Sequence, residues 1–182
     1  MLTIPKDPDS LYFTVEKFWN GADCSDTSYH AEVWLSQSAK GLTIRVMAPE
    51  LPNARIPSAP RDTRVDGLWE YDVVEVFLVG EGGKYLEVEL GAGGHWLVLG
   101  FDGVRNRVND FATLAPDHRN ASMVLGTWQS TITIPWEIVP SPLRALNAFV
   151  IAGGQFLAMN PVPGAEPDFH QPATFPEAEI AV

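Results

Sequence analysis

The feature that most constrains the fold is an alternation of aliphatic with acidic or aromatic residues near the middle of the chain. Because successive side chains of a strand point to opposite faces, it predicts two neighbouring strands, Asp72–Val79 and Lys84–Leu90, each with an aliphatic face. If both aliphatic faces point into one core, two registers are allowed, with Glu75 opposite either Glu87 or Glu89. Both registers make carboxylates neighbours, with Cβ atoms about 5 Å apart. Since opposed like charges are unfavourable, we expect them to be compensated or used in binding.

Similar short alternating segments recur along the chain at the spacing expected of an all-β protein, a single antiparallel β-sandwich domain spanning residues 1–182. Two proline-rich segments cannot be central strands: 49–66, a surface excursion, and 157–176, a loop. A single helical turn is expected at the proline-led segment 135–137. The other predicted strands are Leu11–Trp19, Tyr29–Ser36, Gly41–Ala48, His95–Phe101, a hairpin of Ser122–Leu125 and Gln129–Ile134, Asn147–Phe156 and Glu177–Val182.

Composition restricts the partners more than it restricts the fold. The 182 residues are 46% hydrophobic and 19% charged, which is typical of a globular protein. The net charge of −11 disfavours nucleic acid and anionic membrane surfaces as partners. No apolar run approaches the roughly 20 residues of a membrane helix, and Cys24 is the only cysteine. The first ten residues lack the basic and apolar blocks of a secretion signal, so we expect a cytoplasmic protein.

Several short motifs, in a fixed order along the chain, carry a resemblance to known proteins. They are Trp69-x-x-Asp72-x-x-Glu75-x-Phe77, Tyr85-x-Glu87, Ile134-Pro135-Trp136 and Phe169-His170-x-Pro172-x-x-Phe175. With them the chain resembles the DOMON-like superfamily, which includes the family 9 carbohydrate-binding modules. Within it the chain is most similar to an uncharacterised family known only by open-reading-frame labels. The features matched there are LWEYDVVEVF, KYLEVELGAGGH, the Gly103-x-Arg105-Asn106 corner and the Pro167-Asp168-Phe169-His170 stretch.

The resemblance implies an antiparallel β-sandwich of jelly-roll or immunoglobulin-like shape. In its sugar-binding members the ligand lies between two tryptophans near polar residues, and calcium ions stabilise the fold. Trp69 and Glu75 fall on motif positions that contact sugar in those members. The chain departs from the pattern in two places. The second-strand Gln-x-Arg of sugar-binding members reads Tyr85-Leu86-Glu87 here, and the tail offers Phe169 and His170 instead of a second tryptophan.

The group formed by Glu75, Glu87 and Glu89 is the main candidate for chemistry. Ionised carboxylates only accept hydrogen bonds, so they suit sugar hydroxyls, ammonium groups or a cation such as calcium. The alternative is a solvated outer face whose charge is relieved by Arg105 or Lys84. Because apolar residues share that face of the first strand, we expect it to be partly covered, which favours a binding role.

Two tryptophans and one histidine are further candidates. Trp69 and Trp96 could stack on the apolar face of a sugar ring. A four-residue loop before the third strand puts Trp96 opposite Glu89 on the outer face, whereas a five-residue loop turns it into the core. His170, beside Asp168, could act as a base, a metal ligand or a hydrogen-bond donor, or it could simply tie down its loop.

These observations favour a non-catalytic module that binds a saccharide or another small polyhydroxylated molecule. No catalytic residue is assigned and no cofactor is required, although calcium is a candidate ion with no motif to place it. One alternative is a structural or protein-interaction domain, for example a homodimer through the face carrying Val73 and Phe77. Another is a glycosidase-like hydrolase, because carboxylates about 5 Å apart match the retaining geometry. The predicted ligand-binding residues are Trp69, Asp72, Glu75, Tyr85, Glu87, Glu89, Trp96, Arg105 and His170.

Overall fold

A computed structural model describes residues 1–123 and 126–182 and confirms the predicted antiparallel β-sandwich. In spatial order, one sheet contains β10 (Asp117–Met123), β11 (Thr127–Pro135), β5 (Gly41–Pro49), β4 (Ala31–Ser38) and β2 (Leu11–Val15). The other contains β3 (Lys17–Phe18), β13 (Gln155–Ala158), β12 (Ala145–Ala152), β6 (Val73–Val79), β7 (Lys84–Gly91), β8 (Trp96–Asp102) and β9 (Arg107–Asn109). A parallel pair, β1 (Leu2–Ile4) with β14 (Ala178–Ile180), joins the two ends of the chain. Within the described ranges, no helix is long and apolar enough to cross a membrane.

The main core lies between the two sheets and is built from the aliphatic faces that the sequence predicts. Full burial of each such side chain contributes about 1.5–3 kcal/mol relative to exposure. Every second residue of the central strands points inward, so the intervening residues are left for the two outer faces. The inward residues include Val74, Val76 and Leu78 on β6, Leu86, Val88 and Leu90 on β7, and Ile44 and Val46 on β5.

The register of β6 and β7 is one of the two that the sequence allows. Glu75 pairs with Glu89, and Glu87 lies opposite Phe77. On the other side of β7, Leu90 pairs with Trp96, so the connecting loop has five residues. Trp96 is therefore turned into the core between the sheets, and its prediction as an outward-facing stacking platform is wrong.

A second hydrophobic cluster covers the outer face of the seven-stranded sheet. Val73 and Phe77 on β6 are buried there beneath the proline-rich C-terminal segment. That segment supplies Phe169, which stacks on Phe149 of β12 with ring centroids 4.0 Å apart, and Phe175. The alternative of a solvated acidic face is therefore wrong, and the face suggested for a homodimer is occupied by the chain itself.

Several predicted boundaries differ from the structure for local reasons. The segment predicted as one strand, 147–156, is a hairpin of β12 and β13, because Gly153 and Gly154 adopt φ values of +56° and +78° that suit a tight turn. Predicted Leu11–Trp19 is divided into β2 and β3. The turn after Pro135 is present, with the Ile138 amide donating to its carbonyl at 3.1 Å. The predicted strand Ser122–Leu125 runs into residues 124–125, which lie outside the described residues.

Candidate ligand-binding site

A cavity of about 420 Å³ opens on the outer face of the seven-stranded sheet. Its volume lies within the range of about 300–1,000 Å³ that is typical of small-molecule sites. Strands β6 to β9 form its floor. Its walls are formed by β12, β13, the C-terminal segment and a short 3-10 turn, Leu68–Glu70. The lining residues are Trp69, Glu75, Glu87, Leu99, Phe101, Arg105, Arg107, Ile151, Phe156, Pro167, Phe169 and His170.

Five of the nine predicted ligand-binding residues meet in this cavity. They are Trp69, Glu75, Glu87, Arg105 and His170. Trp69 is placed by the 3-10 turn that precedes β6, and it is 39% exposed. Tyr85 and Glu89 are buried but do not line the cavity. Each is next to a residue that does: Tyr85 forms a hydrogen bond with His170, and Glu89 pairs with Glu75 across the strands.

Asp72 and Trp96 lie away from the cavity. Asp72 shares the inward side of its strand with the aliphatic residues, and it is buried next to the turn between β12 and β13. Its carboxylate accepts a hydrogen bond from the Gly153 amide at 3.3 Å and lies 3.6 Å from the Arg55 guanidinium. Asp72 therefore stabilises a turn, and its prediction as a ligand-binding residue is wrong. The same prediction is wrong for Trp96, which lies in the core.

Arg105 occupies an unusual backbone position at the rim of the cavity. Its φ of +57° is in the left-handed region, which non-glycine residues seldom adopt. The Arg105 amide donates to the Tyr85 hydroxyl at 3.1 Å, and its guanidinium donates to Asp168 at 2.8 Å. Strained backbone of this kind is often retained at functional sites, where the surrounding contacts hold it. These contacts fix the direction of the guanidinium along the rim.

The Tyr85 hydroxyl also connects the floor of the cavity to its wall. It forms a hydrogen bond with Nδ1 of His170 at 2.8 Å. Burial, together with the nearby charge of Arg105, lowers the pKa of His170 to about 4. Although Nε2 of His170 lies 3.8 Å from Glu87, the two groups do not form an ion pair at neutral pH, because the ring is uncharged there.

Glu75 and Glu87 are buried on the floor of the cavity, and Glu89 is buried next to them. Burial, reinforced by the neighbouring carboxylates, raises the pKa of Glu75 and Glu89 well above the usual range. Burial also raises the pKa of Glu87 to about 7, against the opposing charges of Arg105 and Arg107. The raised pKa values favour the protonated carboxyl groups, so the floor can donate hydrogen bonds as well as accept them.

Sequence reasoning missed several lining residues, of which Arg107 carries a charge. Arg107 lies on the short strand β9, which pairs with β8 only at Gly100 and Phe101 and has no alternating pattern of its own. Its guanidinium donates to Asp66 at 2.7 Å. Phe156 was missed because its strand was merged with β12. Phe169, offered by the sequence in place of a second tryptophan, does line the cavity.

No model of a known protein family matches the chain. It is 32% identical over 151 residues to the UPF0462 protein C4orf33 homolog of Danio rerio, a match that covers 77% of this chain and 75% of the relative. The Mus musculus homolog is 32% identical over 170 residues, covering 87% of this chain and 86% of the relative. The human protein C4orf33 is 29% identical over 171 residues, covering 87% and 82%.

Two solved structures share the fold. A presumed carbohydrate-binding protein from Bacteroides uniformis superposes with a TM-score of 0.69 at 17% identity, over 94% of this chain and 87% of that one. A family 9 carbohydrate-binding module from Caldicellulosiruptor kristjanssonii, solved with cellotriose, gives a TM-score of 0.58 at 11% identity, over 98% and 92%. The predicted resemblance to family 9 modules and to an uncharacterised open-reading-frame family is confirmed. The DOMON-like assignment stays a prediction.

Proposed function

The chain belongs to the UPF0462 family, and we propose that it is a non-catalytic binding protein whose cavity takes a saccharide or another small polyhydroxylated molecule. One observation carries this proposal. The same open cavity is lined by an accessible tryptophan, two carboxyl groups and an arginine, which are Trp69, Glu75, Glu87 and Arg105.

Each of these groups has a role suited to such a ligand. The partly exposed indole of Trp69 offers a flat apolar face to the apolar face of a sugar ring. The carboxyl groups of Glu75 and Glu87 exchange hydrogen bonds with hydroxyls, and the Arg105 guanidinium donates to ring or hydroxyl oxygens. The apolar walls formed by Phe156 and other lining residues exclude water around those contacts.

The fold of the two solved relatives supports the same conclusion. One is a presumed carbohydrate-binding protein, and the other was solved with a bound cello-oligosaccharide. Their low sequence identities mean that the fold, not the ligand, is what this chain shares with them. The choice of a saccharide therefore depends on the side chains in the cavity.

Binding fits the cavity better than hydrolysis does. Carboxylate oxygens of Glu75 and Glu87 lie within 4.8 Å of each other, close to the separation in retaining glycosidases. That mechanism, however, needs one ionised nucleophile and one protonated acid. Burial raises the pKa of both groups, so neither is clearly the ionised partner. The carboxyl groups are also adjacent on one sheet face rather than on opposite sides of a bound ring.

A glycan array followed by calorimetry tests the proposal. We expect at least one saccharide to bind, and Trp69→Ala to weaken its binding about tenfold or more, equivalent to about 1.4 kcal/mol. Trp34→Ala is the matched control, because Trp34 lies on the other sheet beneath Arg45, away from the cavity. Absence of any saccharide ligand at millimolar concentration, or equal losses in the two variants, would contradict the proposal.

A further inference from the structure

Glu75, Glu87 and Glu89 converge on a single point. An oxygen atom from each carboxylate lies within 4.8 Å of the oxygens from the other two. Two oxygens bound to one calcium ion, each at 2.3–2.6 Å, can be at most about 5 Å apart. The spacing of the three carboxylates therefore fits the ligands of one cation.

A second observation concerns the hydrogen bonds of the same carboxyl groups. Both carboxylate oxygens of Glu89 and Oε1 of Glu75 are buried, and the described residues supply no hydrogen-bond partner for them. Both side chains are almost completely inaccessible, at 0% and 1% exposure. Buried polar groups in folded proteins are nearly always satisfied, so three unpartnered oxygens on two neighbouring carboxyl groups favour a bound partner there.

The neighbouring positive charges do not supply that partner. Arg105 donates to Asp168, and Arg107 donates to Asp66. Within the described ranges, no lysine or arginine nitrogen lies within 4.0 Å of the three glutamates. His170 lies 3.8 Å from Glu87 only, and its Nδ1 is already bonded to Tyr85. Among the described residues, the three carboxyl groups therefore have no lysine or arginine partner.

The geometry points to a site for one divalent cation, held by Glu75, Glu87 and Glu89 on the buried side of the cavity. All its protein ligands are carboxylate oxygens, which select the hard ions Ca²⁺, Mg²⁺ and Mn²⁺. Glu75 and Glu87 line the open cavity, which provides a route for the ion and for the waters that complete its coordination. The inference stands without the proposed saccharide, because the ligands belong to the protein alone.

Calorimetric titration of the chelator-treated full chain with each of Ca²⁺, Mg²⁺ and Mn²⁺ tests this site, in the absence of any saccharide. We expect one equivalent of at least one of these ions to bind. Glu89→Gln keeps the shape of the side chain but removes its charge, and should weaken binding tenfold or more. Glu75→Gln should do the same, and it serves as the second variant if Glu89→Gln fails to fold. Glu137→Gln, at an exposed position away from the cavity, should leave binding unchanged.

Two results would overturn the inference. One is the absence of binding by all three ions up to millimolar concentration. The other is binding that Glu75→Gln and Glu89→Gln leave unaltered, which would place the ion elsewhere on this acidic protein. Since no saccharide is present, neither result bears on the proposed function, and a failed glycan screen does not bear on the ion.

Discussion

Glu75 on β6 lies directly opposite Glu89 on β7, and both carboxyl groups are buried. Cross-strand neighbours of like charge oppose folding when both are ionised. In the cation-free protein the conflict is reduced by protonation, since burial raises the pKa of both groups. The same cluster includes Glu87, whose pKa is raised to about 7.

Stability in a chelator should therefore fall as the pH rises. A carboxyl whose pKa is higher in the folded chain binds its proton more tightly there, so protonation stabilises folding. For Glu87 this stabilisation is complete below the unfolded value of 4.5 and is lost as the pH passes about 7. The loss is on the order of 3 kcal/mol for this group alone. Urea unfolding in EDTA between pH 4.5 and pH 9 measures the slope. Below about pH 6.5 the lowered pKa of His170 acts in the opposite direction. His170 adds no slope above pH 7, because its ring is then neutral in both states.

Glu89→Gln should stabilise the cation-free protein at pH 8, by about 1–4 kcal/mol. The amide is neutral at any pH, whereas Glu89 must either take up a proton or hold a buried charge at pH 8. The amide can also donate to the orphaned Oε1 of Glu75. The pH slope should also decrease. Glu137→Gln, which is exposed, should change neither quantity. If Glu89→Gln is less stable than the wild type at pH 8 in EDTA, the buried carboxylates are not the source of the conflict.

The register that brings Glu75 and Glu89 together was largely predictable from the sequence. Aliphatic residues on alternate positions of both strands restrict the pairing by parity, and the remaining choice depends on turn length alone. The position of Trp96 was not predictable, because a difference of one residue in a glycine-rich loop reverses which face it occupies. The hairpin at Gly153 was missed for a related reason, since apolar residues continue through both of its strands.

The sequence pattern did not predict that the C-terminal segment covers the acidic face of the sheet. Prolines in the C-terminal segment exclude a central strand, but they do not indicate which surface the segment packs on. Its position depends on contacts between residues far apart in the chain, such as Tyr85 with His170 and Phe149 with Phe169. Trp69 reaches the cavity from a 3-10 turn, which the strand alternation did not predict.

Replacing Arg105 with asparagine should raise the pKa of His170 above about 4. The guanidinium is one of the causes of the low value, and asparagine tolerates the positive φ at this position. Stability should change little, because the ion pair with Asp168 is exposed. Titration of the histidine rings by NMR measures the shift. Arg107→Gln is the control, since Arg107 lines the same cavity but does not influence His170. An unchanged His170 pKa in Arg105→Asn would contradict this account of the rim.

Tyr85→Phe should destabilise the protein by about 1–3 kcal/mol. The hydroxyl group bonds both His170 and the Arg105 amide, so its removal leaves two groups without their partner. Hydrogen exchange should accelerate at residues 168–171, because the bond ties that segment to the sheet. Urea unfolding and exchange measured by mass spectrometry check the two effects. Tyr71→Phe is the control and should cost less than about 0.5 kcal/mol. Wild-type exchange in Tyr85→Phe would show that the segment is held by its aromatic contacts instead.

Three side chains are connected as in a hydrolytic triad, namely Ser130, His118 and Asp62. We expect no nucleophilic activity from this group. Nε2 of His118 lies 2.9 Å from the Ser130 hydroxyl, and its Nδ1 lies 3.4 Å from Asp62. Ser130 is completely buried on β11 and points into the core, so no substrate can reach it. Burial also lowers the pKa of His118, which keeps the ring neutral.

A fluorophosphonate probe should therefore leave the native protein unlabelled. Ser130→Ala should instead reduce stability by about 1–3 kcal/mol, because it deprives a buried imidazole of its partner. Labelling that is abolished in Ser130→Ala would contradict this structural role and would revive hydrolysis as a function.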